Sequence, residues 1–411
     1  MTGLHRLAAG LAGLVIAGTT AAAAAEWPGP WVELGADDAL SVRAIVAPGA
    51  ACPPVNADNA AVATARRGAP DGKFPLQLCE ARVPAATGKL MVGGAGVPTL
   101  PAMVRRIVVI GDTGCRLEGR AIQDCGNPTA WPFAAIAGRA AARRPDLVIH
   151  LGDYYYRESA CPVCRAGCAG SPYGDNWPTW KADVFDPAAP LLAVAPWVMV
   201  RGNHELCARG GHGWFRLLDP SPARPDCLDR TAPYRLTAGG LALLMFDSAD
   251  ADDFLAPPDK VAAYAGQLSS LLADAPPHAW MVTHRPVWGL SSGPFAGLTV
   301  DVAEQAAIRG HIPANLDLVL SGHLHDFLSY EFGPERPAQL IVGNGGASLY
   351  EVESPSGAAV DGMPIRRGLA LERFGYFVME RSDSGWDGTL YAPDDAVLAR
   401  CRLEGRALEC R

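Results

Sequence analysis

Five short apolar runs in the middle of the chain are each followed directly by polar residues of the types that bind metals. The runs are Ile107–Ile110, Leu147–Leu151, Trp197–Val200, Trp280–Val282 and Leu316–Leu320. Each is short enough for a buried β-strand. Helical patterns at Ala130–Arg144 and Val261–Ala273 lie between some of them. This alternation predicts an α/β core built on a layered sheet.

The residues that follow these runs carry carboxylate, amide, imidazole and phenol groups. In chain order the five groups are Gly111–Gly114 (GDTG), Gly152–Tyr156 (GDYYY), Arg201–Glu205 (RGNHE), Thr283–Arg285 (THR) and Ser321–His325 (SGHLH). Functional sites in layered α/β proteins lie beyond the carboxyl ends of strands, so these side chains would meet in one crevice. Such donors suit iron, manganese or zinc. One such group alone usually marks a turn, but five in one chain predict a metal site.

In this order the five groups resemble the motif series of the metallophosphoesterase superfamily, the calcineurin-like phosphoesterases, over residues 105–346. The resemblance implies a layered β-sandwich core flanked by helices, and a dinuclear metal site that hydrolyses phosphate esters. The first motif ends in Gly114, where the superfamily usually has histidine, and Tyr156 follows Asp153 by three positions. This combination resembles the purple acid phosphatases. Met281 departs from the valine that usually begins the fourth motif of that subgroup.

Resemblance to the purple acid phosphatases also implies how the ligands divide between two metal ions. The first ion, Fe(III), would be bound by Asp112, Asp153, Tyr156 and His325. The second ion, Zn, Mn or Fe(II), would be bound by Asp153, Asn203, His284 and His323. Spacing favours Tyr156 over Tyr154 and Tyr155 as the phenolate ligand. The tyrosine ligand is what implies Fe(III) rather than a divalent ion at the first position.

The implied mechanism needs no nucleophile from the protein. Two ions would bind the oxygens of a small phosphate ester and ionise a water molecule for in-line attack on phosphorus. Asp153 would fix the separation of the ions, and His204 would donate to the phosphate or assist the leaving group. Glu205 would either orient His204 or be a surface carboxylate. Candidates for substrate binding are Arg201, Arg285 and His212, although an arginine beside a motif is more often part of a structural ion pair.

Other functions fit parts of the sequence. A phosphodiesterase or a nucleotidase of the same superfamily would carry the same motifs, whereas a non-catalytic metal-binding scaffold would usually have lost ligands. Gly289–Gly293 matches the G-x-S-x-G pattern of serine hydrolases, but it lies between Pro286 and Pro294 rather than between a strand and a helix. The net charge of −8 gives no sign of nucleic-acid binding, and nothing names a protein partner.

The ends of the predicted units follow from composition. Residues 1–25 read as a signal peptide, with a cationic start, an apolar run and a final Ala-x-Ala, although an uncleaved membrane anchor is the alternative. Residues 26–101 predict a small β-rich unit, and residues 102–411 the metallophosphoesterase domain. No later run is long enough to span a membrane. We therefore expect an exported soluble protein, periplasmic or secreted.

The chain has 11 cysteines, which in an exported protein predict disulfides. The expected local pairs are Cys52–Cys79, Cys115–Cys125, Cys207–Cys227 and Cys401–Cys410. The remaining three, Cys161, Cys164 and Cys168, lie in a loop at 158–180 that directly follows the predicted metal-bridging motif. At least one of them has no partner. We predict that the loop is a disulfide-stiffened flap over the site, the alternative being a surface excursion without a role in substrate selection.

Overall fold

The computed structural model describes residues 27–224, 226–291 and 297–411. Two large β-sheets lie face to face at its centre. The larger sheet contains, in spatial order, β28 (Ala407–Cys410), β27 (Val397–Glu404), β26 (Trp386–Tyr391), β25 (Tyr376–Arg381), β9 (Arg106–Ile110), β12 (Leu147–His150), β13 (Trp197–Met199), β1 (Trp31–Leu34), β2 (Ala39–Val46), β6 (Gln77–Pro84) and β5 (Ala65–Arg67).

The second sheet is smaller and carries the later motifs. It contains, in spatial order, β14 (Tyr234–Ala238), β15 (Leu241–Met245), β16 (Ala279–Val282), β19 (Leu316–Ser321), β21 (Ala338–Val342), β20 (Phe327–Glu331) and β24 (Arg367–Leu371). The remaining strands form small sheets: β3 (Val55–Ala57), β4 (Ala60–Val62), β7 (Leu90–Val92) and β8 (Ala95–Val97) together, and the pairs β10 (Leu117–Glu118) with β11 (Ala121–Ile122), β17 (Gly289–Leu290) with β18 (Thr299–Val300), and β22 (Ala359–Val360) with β23 (Met363–Pro364).

The strands that precede the five motifs are parallel within each sheet. In the larger sheet, β12 lies between β9 and β13 and runs parallel to both. In the smaller sheet, β16 pairs in parallel with β19. Every residue of β12 and of β16 is buried, as expected for strands covered on both faces. Their carboxyl ends therefore deliver the motifs to one edge of the sandwich.

Helices cover the outer face of each sheet. Four helices lie against the larger sheet: α1 (Phe133–Ala142), α2 (Trp177–Trp180), α3 (Asp186–Leu192) and α4 (Gly211–Leu217). Two lie against the smaller sheet: α5 (Pro258–Leu272) and α6 (Val302–Ile308). Between the sheets, side chains such as Ile149 and Leu320 are fully buried, which contributes roughly 1.5–3 kcal/mol for each large apolar side chain. The predicted layered β-sandwich flanked by helices is confirmed.

The N-terminal strands are part of the larger sheet, because β1 pairs in parallel with β13 through Glu33 and Trp197. A buried ion pair of Arg43 Nη1 with Glu33, at 2.7 Å, lies next to this junction. The Arg43 guanidinium also donates to the carbonyl of Leu217, at 2.7 Å, at the end of α4. The N-terminal strands thus support the region that follows the third motif. The proposed division at residues 101 and 102 stays a prediction.

All four expected disulfides form, and a fifth joins Cys161 to Cys168. Cys164 is exposed and has no disulfide partner, so the prediction of one unpaired cysteine in this loop is confirmed. Within the described ranges, no helix has the length and apolar character needed to cross a membrane. The predicted signal peptide, residues 1–25, lies outside the described residues. Ser292 and Gly293 of the G-x-S-x-G match lie outside them too.

Candidate metal centre

The hydroxyl of Tyr156 lies at the centre of a buried cluster formed by the first, second and fifth motifs. It is 2.7 Å from His325 Nε2, and it donates to Asp153 Oδ2 at 2.8 Å or to Asp112 Oδ1 at 3.1 Å. Asp112, Asp153 and His325 each offer a ligand atom, and these atoms all lie within 4.8 Å of one another. The hydroxyl of Tyr154 instead bonds to backbone groups, including the amide of Val200 at 3.1 Å. Tyr156 is therefore the tyrosine that the structure brings to the cluster.

A second group of donors adjoins the first and shares Asp153 with it. His284 Nε2 lies 3.2 Å from Asp153 Oδ2 and 3.1 Å from Asn203 Oδ1. Asp153, His284 and His323 again offer ligand atoms within 4.8 Å of one another. The third, fourth and fifth motifs thus meet around the same carboxylate. Two adjacent donor groups with a common carboxylate form a site for two metal ions.

The imidazole rings of two predicted ligands are held in the same way. His284 Nδ1 donates to the carbonyl of Leu151 at 2.7 Å, and His325 Nδ1 donates to the carbonyl of Ser348 at 2.9 Å. A carbonyl oxygen can only accept, so the proton of each ring is on Nδ1. Nε2 is then left with a free lone pair on the side of the cluster, as metal binding requires.

The backbone of three predicted ligands has left-handed dihedral angles. The φ angles are 56° at Asp112, 56° at Asp153 and 70° at His323. A non-glycine residue in this conformation costs about 1–3 kcal/mol, and such strain is concentrated at functional sites. Close packing adds to the constraint, because a Cβ atom at Gly202 would lie 2.1 Å from Asp153 Oδ1. The chain therefore positions these side chains against its own conformational preference.

The charges of the cluster fit a bound cation. Burial and the neighbouring Asp153 raise the pKa of Asp112 well above its ordinary value. Burial lowers the pKa of His323 to about 4 and that of His325 to about 3, so both imidazoles are neutral near pH 7. In the described part of the chain, neither Asp112 nor Asp153 forms a salt bridge with arginine or lysine. Despite burial, His284 and His204 hold the pKa of Asp153 well below its ordinary value. The uncompensated carboxylate is therefore Asp112, and a metal ion held by this donor set would stabilise its charge.

His204 lies at the edge of the cluster rather than among its donors. Its backbone amide donates to Asp153 Oδ1 at 2.9 Å, and its Nε2 is 3.8 Å from Asp153 Oδ2. Its Nδ1 lies 2.7 Å from Glu158 Oε1, and Arg209 Nε donates to the same oxygen at 2.7 Å. Sequence reasoning missed Glu158 and Arg209. Glu158 stands two positions after Tyr156, and its closeness to a motif was the only signal available.

Glu205 has neither of the two roles that the sequence suggested, orienting His204 or lying on the surface. It is fully buried, and its carboxylate accepts hydrogen bonds from the amides of Asp153 at 3.0 Å, Tyr154 at 2.9 Å and Gly202 at 2.9 Å. It neither orients the His204 ring nor lies on the surface. The carboxylate instead joins the backbone of the second motif to that of the third.

Arg285 is the only one of the three candidate substrate residues with a contact to a predicted ligand. Its Nη1 lies 2.9 Å from His323 Nε2. The same nitrogen donates to Asp253 and, at 3.2 Å, to Asp301 Oδ1. Its guanidinium is thus already paired with two carboxylates at the edge of the cluster.

The other two candidates have contacts elsewhere. Arg201 donates to Asp247 Oδ2 at 2.7 Å and to the carbonyl of Asp229 at 2.5 Å, which is the structural ion pair weighed as the alternative. The ring of His212 stacks on Phe74 with 5.8 Å between centroids, and its side chain is 55% exposed. The contacts of these two residues do not include any predicted metal ligand, so the structure gives no support to their role in substrate binding.

The calcineurin-like phosphoesterase family matches residues 105–327, more than half of the 411-residue chain. No curated protein sequence matches the chain. The structure is similar to a purple acid phosphatase, PPD1, from yellow lupin (Lupinus luteus) seeds, with 15% identity and a TM-score of 0.59 over 90% of this chain and 73% of that one. It is also similar to PhoD, with 13% identity and a TM-score of 0.51 over 93% and 90%. These two likenesses concern the fold alone, whereas the family match and the motifs show that the chain belongs to the calcineurin-like phosphoesterase family.

Proposed function

We propose that the protein is a phosphatase of the purple acid phosphatase type, which hydrolyses small phosphate esters at Fe(III) paired with Zn, Mn or Fe(II). The observation that carries this proposal is the position of the Tyr156 hydroxyl, within 3.1 Å of Asp112, Asp153 and His325. Family membership alone leaves the metals open. A phenol oxygen among these donors supports the Fe(III)-binding arrangement that the motif series implies.

Seven side chains would hold the two ions. The first ion would be bound by Asp112, Asp153, Tyr156 and His325, and the second by Asp153, Asn203, His284 and His323. When bound, the ions polarise phosphate oxygens and lower the pKa of water, so that hydrolysis proceeds near neutral pH. Asp153 is common to both donor groups and would set their separation.

His204 is the residue best placed to move a proton. Its Nδ1 has two neighbours at 2.7 Å, the Glu158 carboxylate and Arg209 Nη2, and Arg209 can donate to Glu158 instead of to the ring. Glu158 would then keep a proton on Nδ1, while Nε2 lies 3.8 Å from Asp153 Oδ2. A protonated Nε2 would donate to a phosphate oxygen or to the oxygen of the departing alcohol. Arg209, which shares the Glu158 oxygen, would keep that carboxylate ionised and in place.

Five disulfides support an oxidising location, so we propose that the protein is exported, to the periplasm or beyond the cell. N-terminal sequencing of protein recovered from the periplasm and from the medium tests this proposal. A mature chain that begins at Glu26 is expected. Recovery of the chain only from the cytoplasm, with its original N-terminus, would reject it.

The test of function is a visible absorption spectrum of protein purified with its native metals, together with metal analysis and an aryl-phosphate assay. We expect activity and a broad charge-transfer band that disappears in Tyr156→Phe. Tyr155→Phe is the matched control, because that ring stacks on Trp180 and its hydroxyl makes no contact with the cluster. A colourless, active protein with two Zn or Mn ions would reject the iron assignment and keep the phosphoesterase. A protein without metal, inactive after metal is added, would reject both.

A further inference from the structure

His323 is held differently from the other two predicted histidine ligands. His284 and His325 each give Nδ1–H to a backbone carbonyl. His323 instead places Nε2 at 2.9 Å from the carboxylate oxygen Oδ1 of Asp253. The ring is therefore turned the other way, and Nδ1 is the nitrogen left to bind a metal. Its outer partner is a charged side chain rather than a neutral backbone group.

The same His323 nitrogen has a second neighbour that would hold the opposite tautomer. Arg285 Nη1 also lies 2.9 Å from Nε2. A guanidinium can only donate, so a bond from Arg285 to Nε2 would require the ring proton to be on Nδ1, where it blocks metal binding. Asp253 accepts from both groups and removes this conflict, because Arg285 then donates to Asp253 and His323 does the same.

Arg285 is also held by a second carboxylate, on Asp301. Asp301 is fully buried, and its Oδ1 accepts from Arg285 Nη1 at 3.2 Å. Asp301 would therefore keep Arg285 beside His323 in a variant that lacks Asp253. Asp253 is the outermost member of this group, with 38% of its side chain exposed.

We propose that Asp253 is a positioning residue for the second metal ion. It keeps the ring proton of His323 on Nε2, so that Nδ1 is free to bind the ion. This inference rests on the proposed dinuclear site. A carboxylate on the outer nitrogen also makes the imidazole a stronger donor than a carbonyl does, and loss of such a partner typically weakens metal affinity by about 10–100-fold.

The test is a calorimetric titration of metal-free protein with Zn²⁺, for the wild type, Asp253→Ala, Asp253→Asn and the control Asp259→Ala. Asp259 is an exposed carboxylate in the first turn of α5, six positions along the chain. We expect Asp253→Ala to weaken one of two sites by about 10–100-fold and to leave the other unchanged. Asp253→Asn keeps an acceptor oxygen without the charge and should have a smaller effect. Asp259→Ala should match the wild type.

A second readout separates positioning from a general structural effect. Nitrogen NMR of the ring in metal-free protein reports which nitrogen of His323 is protonated. The proton should be on Nε2 in the wild type and move to Nδ1 in Asp253→Ala. Two unchanged sites in Asp253→Ala, equal weakening of both sites, or an unchanged tautomer would each overturn the proposal. A wild-type protein that binds fewer than two ions would instead reject the dinuclear site on which it rests.

Discussion

The two halves of the metal centre differ in how they are held and in how close they lie to solvent. In the half around Tyr156 the side chains are buried, and the outer nitrogen of His325 is bonded to the backbone. In the half around His323 that ring is 13% exposed, and its outer nitrogen meets Asp253, which is 38% exposed. The first half is thus fixed by the interior of the sandwich. In the second half His284 is also buried and bonded to the backbone, and only His323 is held by charged groups at the edge. From this difference we expect the ion bound by His323 to exchange more readily than the ion bound by Tyr156.

The largest loss of metal and of activity should follow substitution of Asp153, the carboxylate that the two halves share. Asp153→Asn removes charge from both donor groups at once, so we expect loss of both ions and a fall in kcat of about 1000-fold. Elemental analysis and an aryl-phosphate assay measure the two effects. Asp259→Asn is the control. If the variant kept two ions per chain, the shared position of Asp153 would not be what holds the halves together.

A smaller effect is expected from Glu158, the outer carboxylate beside the first half. Glu158→Gln keeps a side chain of the same size next to His204 but removes the charge. We expect kcat to fall by about 10–100-fold with metal content unchanged, the reverse of the pattern predicted for Asp253. Glu380→Gln is a suitable control, because its carboxylate is 55% exposed and pairs with Arg106 instead. If Glu158→Gln lost a metal ion, Glu158 and Asp253 would not differ in the way predicted here, in which only Asp253 affects metal binding.

The smallest difference should appear when metal is withdrawn gradually. Because the second half is closer to solvent, dialysis against increasing concentrations of a weak chelator should remove its ion first, at about a tenfold lower concentration. Metal analysis at each step should show a stable stage with one ion per chain. If the visible band disappeared before the second ion was lost, or if both ions were lost together, the expected difference in metal affinity between the two halves would be contradicted.

The sequence was most informative where a feature is local. Every predicted ligand stands no more than about five positions after the end of an apolar run, and a buried parallel strand explains both the run and the position of the ligand. The four expected disulfides join cysteines that are close in the chain. The assignment of Tyr156 depended on a fixed spacing from Asp153, and this spacing is what brings its hydroxyl to that carboxylate.

The residues that sequence reasoning missed depend on tertiary contacts. Glu158 meets His204 from 46 positions away, and Asp253 meets His323 from 70 positions away. Neither belongs to a motif, and an acidic residue in a loop is usually solvated. Arg201 stands inside a motif, yet its guanidinium is paired with the carboxylate of Asp247. Adjacency in sequence therefore located the donors but not the groups that orient them.

Glu205 has a consequence for anyone who would copy this metal centre into another protein. Transferring the seven ligand side chains would not transfer the geometry, because a residue that offers nothing to the metal ties Asp153 and Gly202 together through their amides. The transferable unit is therefore two loops and the carboxylate that staples them. A design that kept the seven ligands but replaced Glu205 would have the correct donor atoms without the backbone contacts that align them.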